Sequence, residues 1–465
     1  MNLEKLKYVY LIGIGGIGMS GLARYFRFLG KSVSGYDRTP SSLTDEMMTE
    51  GISIHFDDDI SKIDKKIIEH PSGADTLIIY TPAVPENHSE LRFFREENYT
   101  IMKRAAVLGL ITEAHFTVAV AGTHGKTTTT TLVTHILKSA EMNCTAFLGG
   151  ISKNYNSNLL IGSPQSTSPM IAEADEYDRS FLNLNPDIAV ITSIDPDHLD
   201  IYGDKANVRE SYSLFANRLK EHGCLITKQT LKDDIEYDGK TFTYSLNGKS
   251  DYYAKNINVS GGRYTYDIVM PQGEIKSVNL GVGGLHNIEN SVAASAVAMQ
   301  LEIGSEIIRN ALGTFEGVKR RFDYRINTPD LVFIDDYAHH PAELKACIGS
   351  IRALYPGKKI TGVFQPHLFT RTRDFADDFA RSLEMLDRII LLDIYPARET
   401  PIPGIDSAML LGKIKNRNKI LCADDELIDL VTRELPEILV TMGAGDIDAL
   451  IEPLKTALLH KIANV

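Results

Sequence analysis

Short apolar runs recur along the chain, each leading into glycine or a polar cluster and then into residues at helical spacing. Tyr8 to Ile12 predicts a buried strand. Met19, Leu22, Ala23, Phe26 and Leu29 then share one helix face, Gly30 ends that helix, and Lys31 to Tyr36 predicts a second strand. Thr76–Tyr80 predicts a further strand, followed by a turn through Pro82 and Pro85 and a helix near 88–98. Phe116 to Val120 is another β-rich run, and the helix after it carries apolar residues at Leu132, Val133, Ile136 and Leu137. Met170–Ala172 and Ile188–Ser193 predict short strands, and an alanine-rich helix runs from about residue 285 through Ala298. In the last third, Leu331–Ile334, Lys359–Phe364 and Ile389–Leu392 predict strands, with a helix to about Leu354 after the first. Continuous apolar strands alternating with helices predict an α/β fold built on mostly parallel sheets. No internal repeat, low-complexity tract or heptad pattern interrupts this alternation.

The chain has 465 residues, room for about three domains with separate cores. Its 43% hydrophobic and 24% charged residues are ordinary for globular proteins. A net charge of −12 argues against a nucleic-acid surface, so phosphate binding has to be local. Cys144, Cys224, Cys347 and Cys422 lie far apart with no CxxC pair, which fits reduced thiols in a cytoplasm. No apolar stretch approaches the ~20 residues of a membrane helix, and the N-terminal apolar run predicts a strand, not a cleavable signal. A cytoplasmic protein without membrane insertion is expected.

Candidate chemistry concentrates at the ends of the predicted strands. The richest segment is Gly122-Thr123-His124-Gly125-Lys126-Thr127-Thr128, between the 116–120 strand and its helix. Such a turn aims backbone N–H groups at a point where the helix dipole also favours an anion. Gly122 and Gly125 allow close approach to phosphate, Lys126 brings charge, and Thr127 offers a hydroxyl to Mg²⁺. The pattern departs from a full Walker A, because Val120 stands where that motif has glycine. A second turn, Gly13-x-Gly15-x-x-Gly18, follows the first strand, and Asp37 ends the second strand where an acid can accept from a ribose hydroxyl. That geometry suits a nicotinamide cofactor or another nucleoside diphosphate.

Glu173 and the Asp195–Asp200 cluster with His198 also follow strands. Glu173 is a hard oxygen ligand suited to Mg²⁺. His198 can ligate a metal, orient a carboxylate or cap the next helix. His286 and Asn290 lie at i and i+4 on one helix face, where imidazole and amide can meet a purine edge. In the last third, Asp335-Asp336-Tyr337-Ala-His339-His340, Gln365-Pro-His367-Leu-Phe-Thr-Arg371 and Asp393-Ile-Tyr395 end three strands on one edge, as a ligand face requires. Arginine suits phosphate and carboxylate there because its fork meets two oxygens.

GIGGIGMSGLA (13–23), GTHGKTTTT (122–130), EADEYDRSF (173–181), DPDHLDIYG (195–203), HNIENSVAA (286–294), RRFD (320–323), DDYAHHP (335–341) and FQPHLFTRTRD (364–374) stand in the order found in the Mur ligases, and the chain resembles that family over nearly its full length. The resemblance implies three α/β domains. A Rossmann-like domain (1–112) would hold the UDP-sugar, a P-loop ATPase-like domain (113–320) ATP, and a second Rossmann-like ligase domain (321–465) would complete the site. It implies ATP-dependent amide-bond synthesis in peptidoglycan assembly with ATP and Mg²⁺. The carboxylate of UDP-N-acetylmuramate would pass through an acyl phosphate to L-alanine.

By the same resemblance, Lys126 contacts the transferring phosphoryl, while Thr127 and Glu173 hold one Mg²⁺ and His198 a second. Gly122 to Thr128, His286, Asn290, Arg321 and Asp336 contact ATP. Gly15, Gly16, Ile17, Gly18, Met19 and Asp37 contact the UDP part, and His124 the sugar acid. Tyr337, His339, His367 and Arg371 approach the amino acid. Three departures stand out: Leu368 replaces a common Arg, EADEYD replaces EADESD, and KRAAVL (103–108) lacks an acid. The alternative within the family is the recycling ligase that adds a ready-made tripeptide, whose first turn usually reads GICGTFMGG; GIGGIGMSG favours L-alanine.

Overall fold

A computed structural model describes residues 3–68, 75–163, 168–195, 204–260, 262–397 and 399–463. The chain forms two compact units. The first comprises Met1–Tyr253, Val269–Gly273 and Asn290–Ala311; the second comprises Ala254–Ile268, Glu274–Glu289 and Leu312–Val465.

In the first unit, β1 (Tyr8–Ile12), β2 (Ser32–Tyr36), β3 (Ser53–His55), β4 (Thr76–Tyr80) and β5 (Ile101–Lys103) make a fully parallel sheet of order β3-β2-β1-β4-β5. The order reverses at β1, the position at which open parallel sheets bind ligands, and the Gly13–Gly18 turn sits there. The central sheet contains β6 (Thr117–Ala121), β7 (Thr145–Ser152), β8 (Ser157–Leu160), β9 (Met170–Glu173), β10 (Ile188–Ile191), β11 (Cys224–Lys228) and β12 (Thr241–Ser245). These run β12-β11-β10-β6-β9-β7-β8, parallel except for β8.

One core joins the two sheets. Val9, Leu22 and Phe26 share a cluster with Ala119, Phe147 and Phe181, and Val107, Leu108 and Ile111 of helix Arg104–Glu113 belong to it too. The expected boundary at residue 112 therefore falls at the end of a helix whose apolar face serves both sheets.

Helix Lys126–Ser139 has an unpromising sequence, because five consecutive β-branched threonines lose side-chain freedom in a helix. Their hydroxyls find partners inside the helix, where Thr130, Thr131 and Thr134 donate to the carbonyls of Lys126, Thr127 and Thr130 at 2.7–2.8 Å, and burial of its apolar face holds the helix. Leu132, Val133, Ile136 and Leu137 are fully buried, each worth about 1.5–3 kcal/mol.

The second unit holds most of β13 (Tyr252–Ser260), β14 (Arg263–Met270) and β15 (Gly273–Asn279), which neighbour one another in that order. Its main sheet has the order β16-β17-β21-β18-β19-β20 from β16 (Asp323–Asn327), β17 (Val332–Asp336), β18 (Ile360–Phe364), β19 (Arg388–Leu391), β20 (Lys419–Leu421) and β21 (Ile438–Met442). Only the edge strand β16 is antiparallel. Strand β17 runs two residues beyond its expected end at Ile334, so Asp335 and Asp336 lie within the sheet. Strand pairing explains the extension, since they register with Thr441 and Met442 of β21.

A buried polar cluster interrupts the apolar packing of the first sheet. Tyr10 Oη donates to Glu90 Oε2 at 2.8 Å and meets His55 Nε2 at 2.7 Å; His88 packs on Tyr36 and lies 3.3 Å from Asp58. Burial pushes the Glu90 carboxyl up to about 8 and pulls the His55 and His88 imidazoles below their usual value. Glu90 is thus protonated at neutral pH. A raised folded-state value contributes stability in full below the ordinary value of 4.5 and loses it as pH climbs through about 8. Glu90→Gln should therefore gain on wild type from about pH 4.5 to 8, by on the order of a few kcal/mol at the top of that range. Thermal denaturation across a pH series measures the gap; a gap that stays flat contradicts a protonated Glu90.

Candidate functional site

The phosphate-type turn leaves β6 at Gly122, whose φ is +135° and where a Cβ would lie 2.1 Å from Thr192 Oγ1. Only glycine fits both the conformation and the space. Gly125, at φ +83°, caps helix Lys126–Ser139 with no side chain across the helix N-terminus, leaving that end shaped for an anion. The turn is pinned from behind by two residues that the sequence alone did not single out. Thr192 Oγ1 donates to the carbonyls of His124 (2.5 Å) and Ala121 (3.1 Å). Ser193 Oγ accepts from the His124 N–H (2.7 Å) and pairs with Thr123 Oγ1 (2.8 Å). Their only sequence signal is position: they follow β10, which neighbours β6.

Lys126 reaches back to Gly122 O (2.5 Å) and pairs with the Glu176 carboxylate at 2.7 and 2.9 Å. Burial pulls its proton affinity down, but Glu176, Glu173 and Asp175 more than reverse that, so the ammonium stays charged. Glu176 is a third residue missed by sequence, hidden inside a run of acids. Glu173 ends β9, and a Cβ on Gly149 of β7 would lie 1.9 Å from Glu173 Oε2. Glycine at 149 thus makes the cradle in which that carboxylate rests. His198 lies outside the described residues, and no group of three or more metal-ligating side chains stands together among the described ones.

At the Gly13–Gly18 turn, the N–H groups of Gly13 and Ile14 bond to Tyr36 O, and Gly16 caps helix Ile17–Phe28 without a side-chain hydrogen bond. Gly15, Gly16, Ile17, Gly18 and Met19 thus form one turn and its first helical residues. Asp37 accepts from the Gly15 N–H (2.7 Å) and the Thr39 N–H (3.2 Å), so its carboxylate braces the turn itself. The Arg104 guanidinium lies 2.7 Å from where a Gly18 Cβ would stand.

In the second unit, Asp336 accepts from the N–H groups of Phe322 (2.7 Å) and Ala338 (2.8 Å); burial, partly offset by Arg321, raises its carboxyl to about 6. Arg321 sits over the Tyr337 ring at 4.8 Å, a cation–π contact. Burial and the Arg321 charge lower His286 to about 4, and its buried Nδ1 has no hydrogen-bond partner among the described residues. His286 belongs to this unit and Asn290 to the first, on one helix, Leu285–Gln300.

Tyr337, His339, His367 and Arg371 form one cluster. The Tyr337 and His339 rings are 5.2 Å apart, His339 and His367 6.0 Å, and Arg371 Nη1 is 3.3 Å from His367 Nδ1. His339 is held by Tyr337 O and Glu343, and burial keeps it neutral. Between His367 and Arg371, Leu368 has φ +71°, ψ 135°, a strained conformation for a branched side chain. Its N–H bonds to Tyr395 O, and its carbonyl accepts from both Thr372 N and Thr372 Oγ1, which hold the strain in place.

Three family models match in succession: the Mur ligase family catalytic domain over residues 8–116, the Mur ligase middle domain over 120–298, and the Mur ligase glutamate ligase domain over 320–445. The chain belongs to the Mur ligase family. This Mur ligase is 49% identical over 464 residues to the UDP-N-acetylmuramate–L-alanine ligase of Parabacteroides distasonis, covering 99% of each chain. The crystal structure of the UDP-N-acetylmuramate–alanine ligase MurC of Thermotoga maritima aligns with a TM-score of 0.81 at 25% identity, over 98% of this chain and 99% of that one. The murein peptide ligase of Psychrobacter arcticus shares the fold with a TM-score of 0.73 at 21% identity, over 97% and 98%. The three-domain α/β architecture expected from the sequence is the one found.

Proposed function

We propose that this Mur ligase joins L-alanine to the carboxylate of UDP-N-acetylmuramate, consuming ATP and giving UDP-N-acetylmuramoyl-L-alanine, ADP and phosphate in peptidoglycan synthesis. The observation that carries this reading is the end-to-end identity with an L-alanine ligase. The GIGGIGMSG turn adds to it against the tripeptide-adding alternative.

A carboxylate is a poor acyl donor. Its oxygen attacks the γ-phosphorus, ADP leaves, and the alanine amine then attacks the acyl carbon and expels phosphate. Positioning and charge neutralisation carry such a reaction. In this reading the 1–112 domain holds the UDP-sugar on Gly15–Met19 with Asp37, and the 113–320 domain holds ATP on Gly122–Thr128. The 321–465 domain brings in the amino acid. Lys126 follows the γ-phosphoryl, and His124 faces the sugar acid. Arg321 and Asp336 serve the phosphates and ribose. The neutral His286, whose Nδ1 has no partner among the described residues, and Asn290 meet the adenine. Tyr337, His339, His367 and Arg371 orient L-alanine. A cytoplasmic location agrees with these substrates and with four free buried cysteines; no helix among the described residues is long and apolar enough to cross a membrane.

The donor set fits Mg²⁺, which takes one or two carboxylates and fills its remaining positions with phosphate oxygens and water. Thr127 and Glu173 would hold one ion and His198, which lies outside the described residues, a second; the missing Cβ of Gly149 leaves room for the Glu173 carboxylate. Bound there, the ion would neutralise phosphate charge. Gly149→Ala should displace Glu173, lower the ligation rate roughly 10–100-fold and raise the Mg²⁺ concentration needed for half-maximal rate. A Mg²⁺ titration of the rate checks it; an unchanged requirement would count against Glu173 as a ligand.

Mass spectrometry of the product tests the function itself. Incubation with ATP, UDP-N-acetylmuramate and L-alanine should add one alanyl residue, and a mixture with the tripeptide as sole donor should leave the sugar nucleotide unchanged.

A further inference from the structure

The two phosphate-type turns of the first unit are joined by a short run of ion pairs. Arg104 begins helix Arg104–Glu113, and its Nη1 lies over Gly18, at the start of the helix that follows the first turn. Its Nη2 bonds Asp175 Oδ2 at 3.0 Å. The next residue, Glu176, holds the Lys126 ammonium of the second turn. Arg104, Asp175 and Glu176 thus link the first turn to Lys126 of the second.

The segment carrying the two acids is tightly folded. Phe181 N–H donates to Asp175 O (2.8 Å), Tyr177 N–H to Asp175 Oδ1 (3.1 Å) and Arg179 N–H to Glu176 O (3.0 Å). Asp178 and Arg179 follow in the left-handed region, at φ +54° and +53°. Lys103, beside Arg104, pairs with Asp178. These bonds tie Asp175 and Glu176 into one segment.

We propose that Arg104 is a diphosphate-binding residue of the first turn, and that Asp175 and Glu176 couple its occupancy to the release of Lys126 at the second. This rests on the reading that a UDP-sugar uses the first turn and ATP the second.

The two ion pairs differ in the way such a device needs. The Arg104–Asp175 pair is partly open to solvent, with the Asp175 side chain 41% exposed. Exposed pairs of this kind are weak, whereas a diphosphate offers the same guanidinium a stronger, charge-assisted fork. The Lys126–Glu176 pair is shielded, with the Glu176 side chain 5% exposed. An arriving γ-phosphate has to displace Glu176 from Lys126, and the Asp175 tether resists that movement. A diphosphate that draws Arg104 away removes the resistance. The coupling is reciprocal by linkage: each ligand tightens the other.

Calorimetry with the full-length protein tests this, using UDP and a non-hydrolysable ATP analogue with an imido β–γ bridge. For wild type, saturating UDP should lower the analogue's dissociation constant at least about five-fold. Asp175→Asn should remove the tether in advance. The analogue alone should then bind as tightly as it binds UDP-saturated wild type, and UDP should add less than a factor of two. Arg104→Gln should weaken UDP and abolish the coupling, which provides a second route if the first variant folds poorly. A merely structural lesion weakens analogue binding, so tightening is the diagnostic sign. The proposal is overturned by wild type showing no coupling, by Asp175→Asn keeping it, or by Asp175→Asn weakening the analogue. Failure of the alanine-ligase reading is separately visible, as absence of ligation by a wild-type protein that still couples UDP to the analogue.

Discussion

Lys126→Ala should lower the ligation rate by on the order of a hundredfold or more, the scale expected when a preorganised charge is removed from a developing anion. The ammonium sits at the start of helix Lys126–Ser139, beside Gly122 O, and three carboxylates keep it charged. It is thus built to deliver a full positive charge to a γ-phosphoryl group in a shielded setting. UDP-sugar binding should not weaken, because Lys126 is outside the Gly13–Gly18 turn; with Glu176 released, UDP should bind as well or more tightly, as the coupling requires. The variant also leaves Glu176 buried without its cation, which costs stability, so the melting temperature should fall as well. Rate and UDP affinity measured on the folded fraction separate the two effects. A rate above about a tenth of wild type, a loss under ~1.4 kcal/mol, contradicts the assigned role.

Arg371→Lys should raise the Michaelis constant for L-alanine by about tenfold while leaving that for ATP within about twofold. Lysine keeps the charge and loses the fork that meets both carboxylate oxygens. Leu368 cannot share the task, since its side chain is apolar and its strained backbone holds His367 and Arg371 on either side. With one guanidinium and a small aliphatic residue at that point, L-alanine should be preferred to a donor carrying extra carboxylates. Steady-state kinetics with each substrate varied in turn measures the split; a variant that loses ATP and alanine affinity equally is misassigned.

Strands, helices and both phosphate-type turns were legible because their signals are local: apolar runs for buried parallel strands, glycines where a positive φ or a close approach demands them. The Tyr337–His339–His367–Arg371 cluster was legible as three polar strand ends on one edge, since parallel strands deliver such ends to the same side. Thr192 and Ser193 were not, because their role arises from β10 lying next to β6, which only the fold decides. Glu176 and Arg104 escaped for a similar reason: their partners are 50 and 71 residues away in sequence. Gly149 was invisible because nothing in its own strand tells that a carboxylate from β9 occupies its missing Cβ.

Phosphate release is the most direct test of the central claim. Purified protein, ATP, Mg²⁺ and UDP-N-acetylmuramate are assayed with L-alanine, D-glutamate or the murein tripeptide as donor, and each component is omitted in turn. The account predicts rapid release with L-alanine only, and none when either the sugar nucleotide or the amino acid is left out. Faster release with the tripeptide than with L-alanine would contradict it and identify the chain as the recycling ligase.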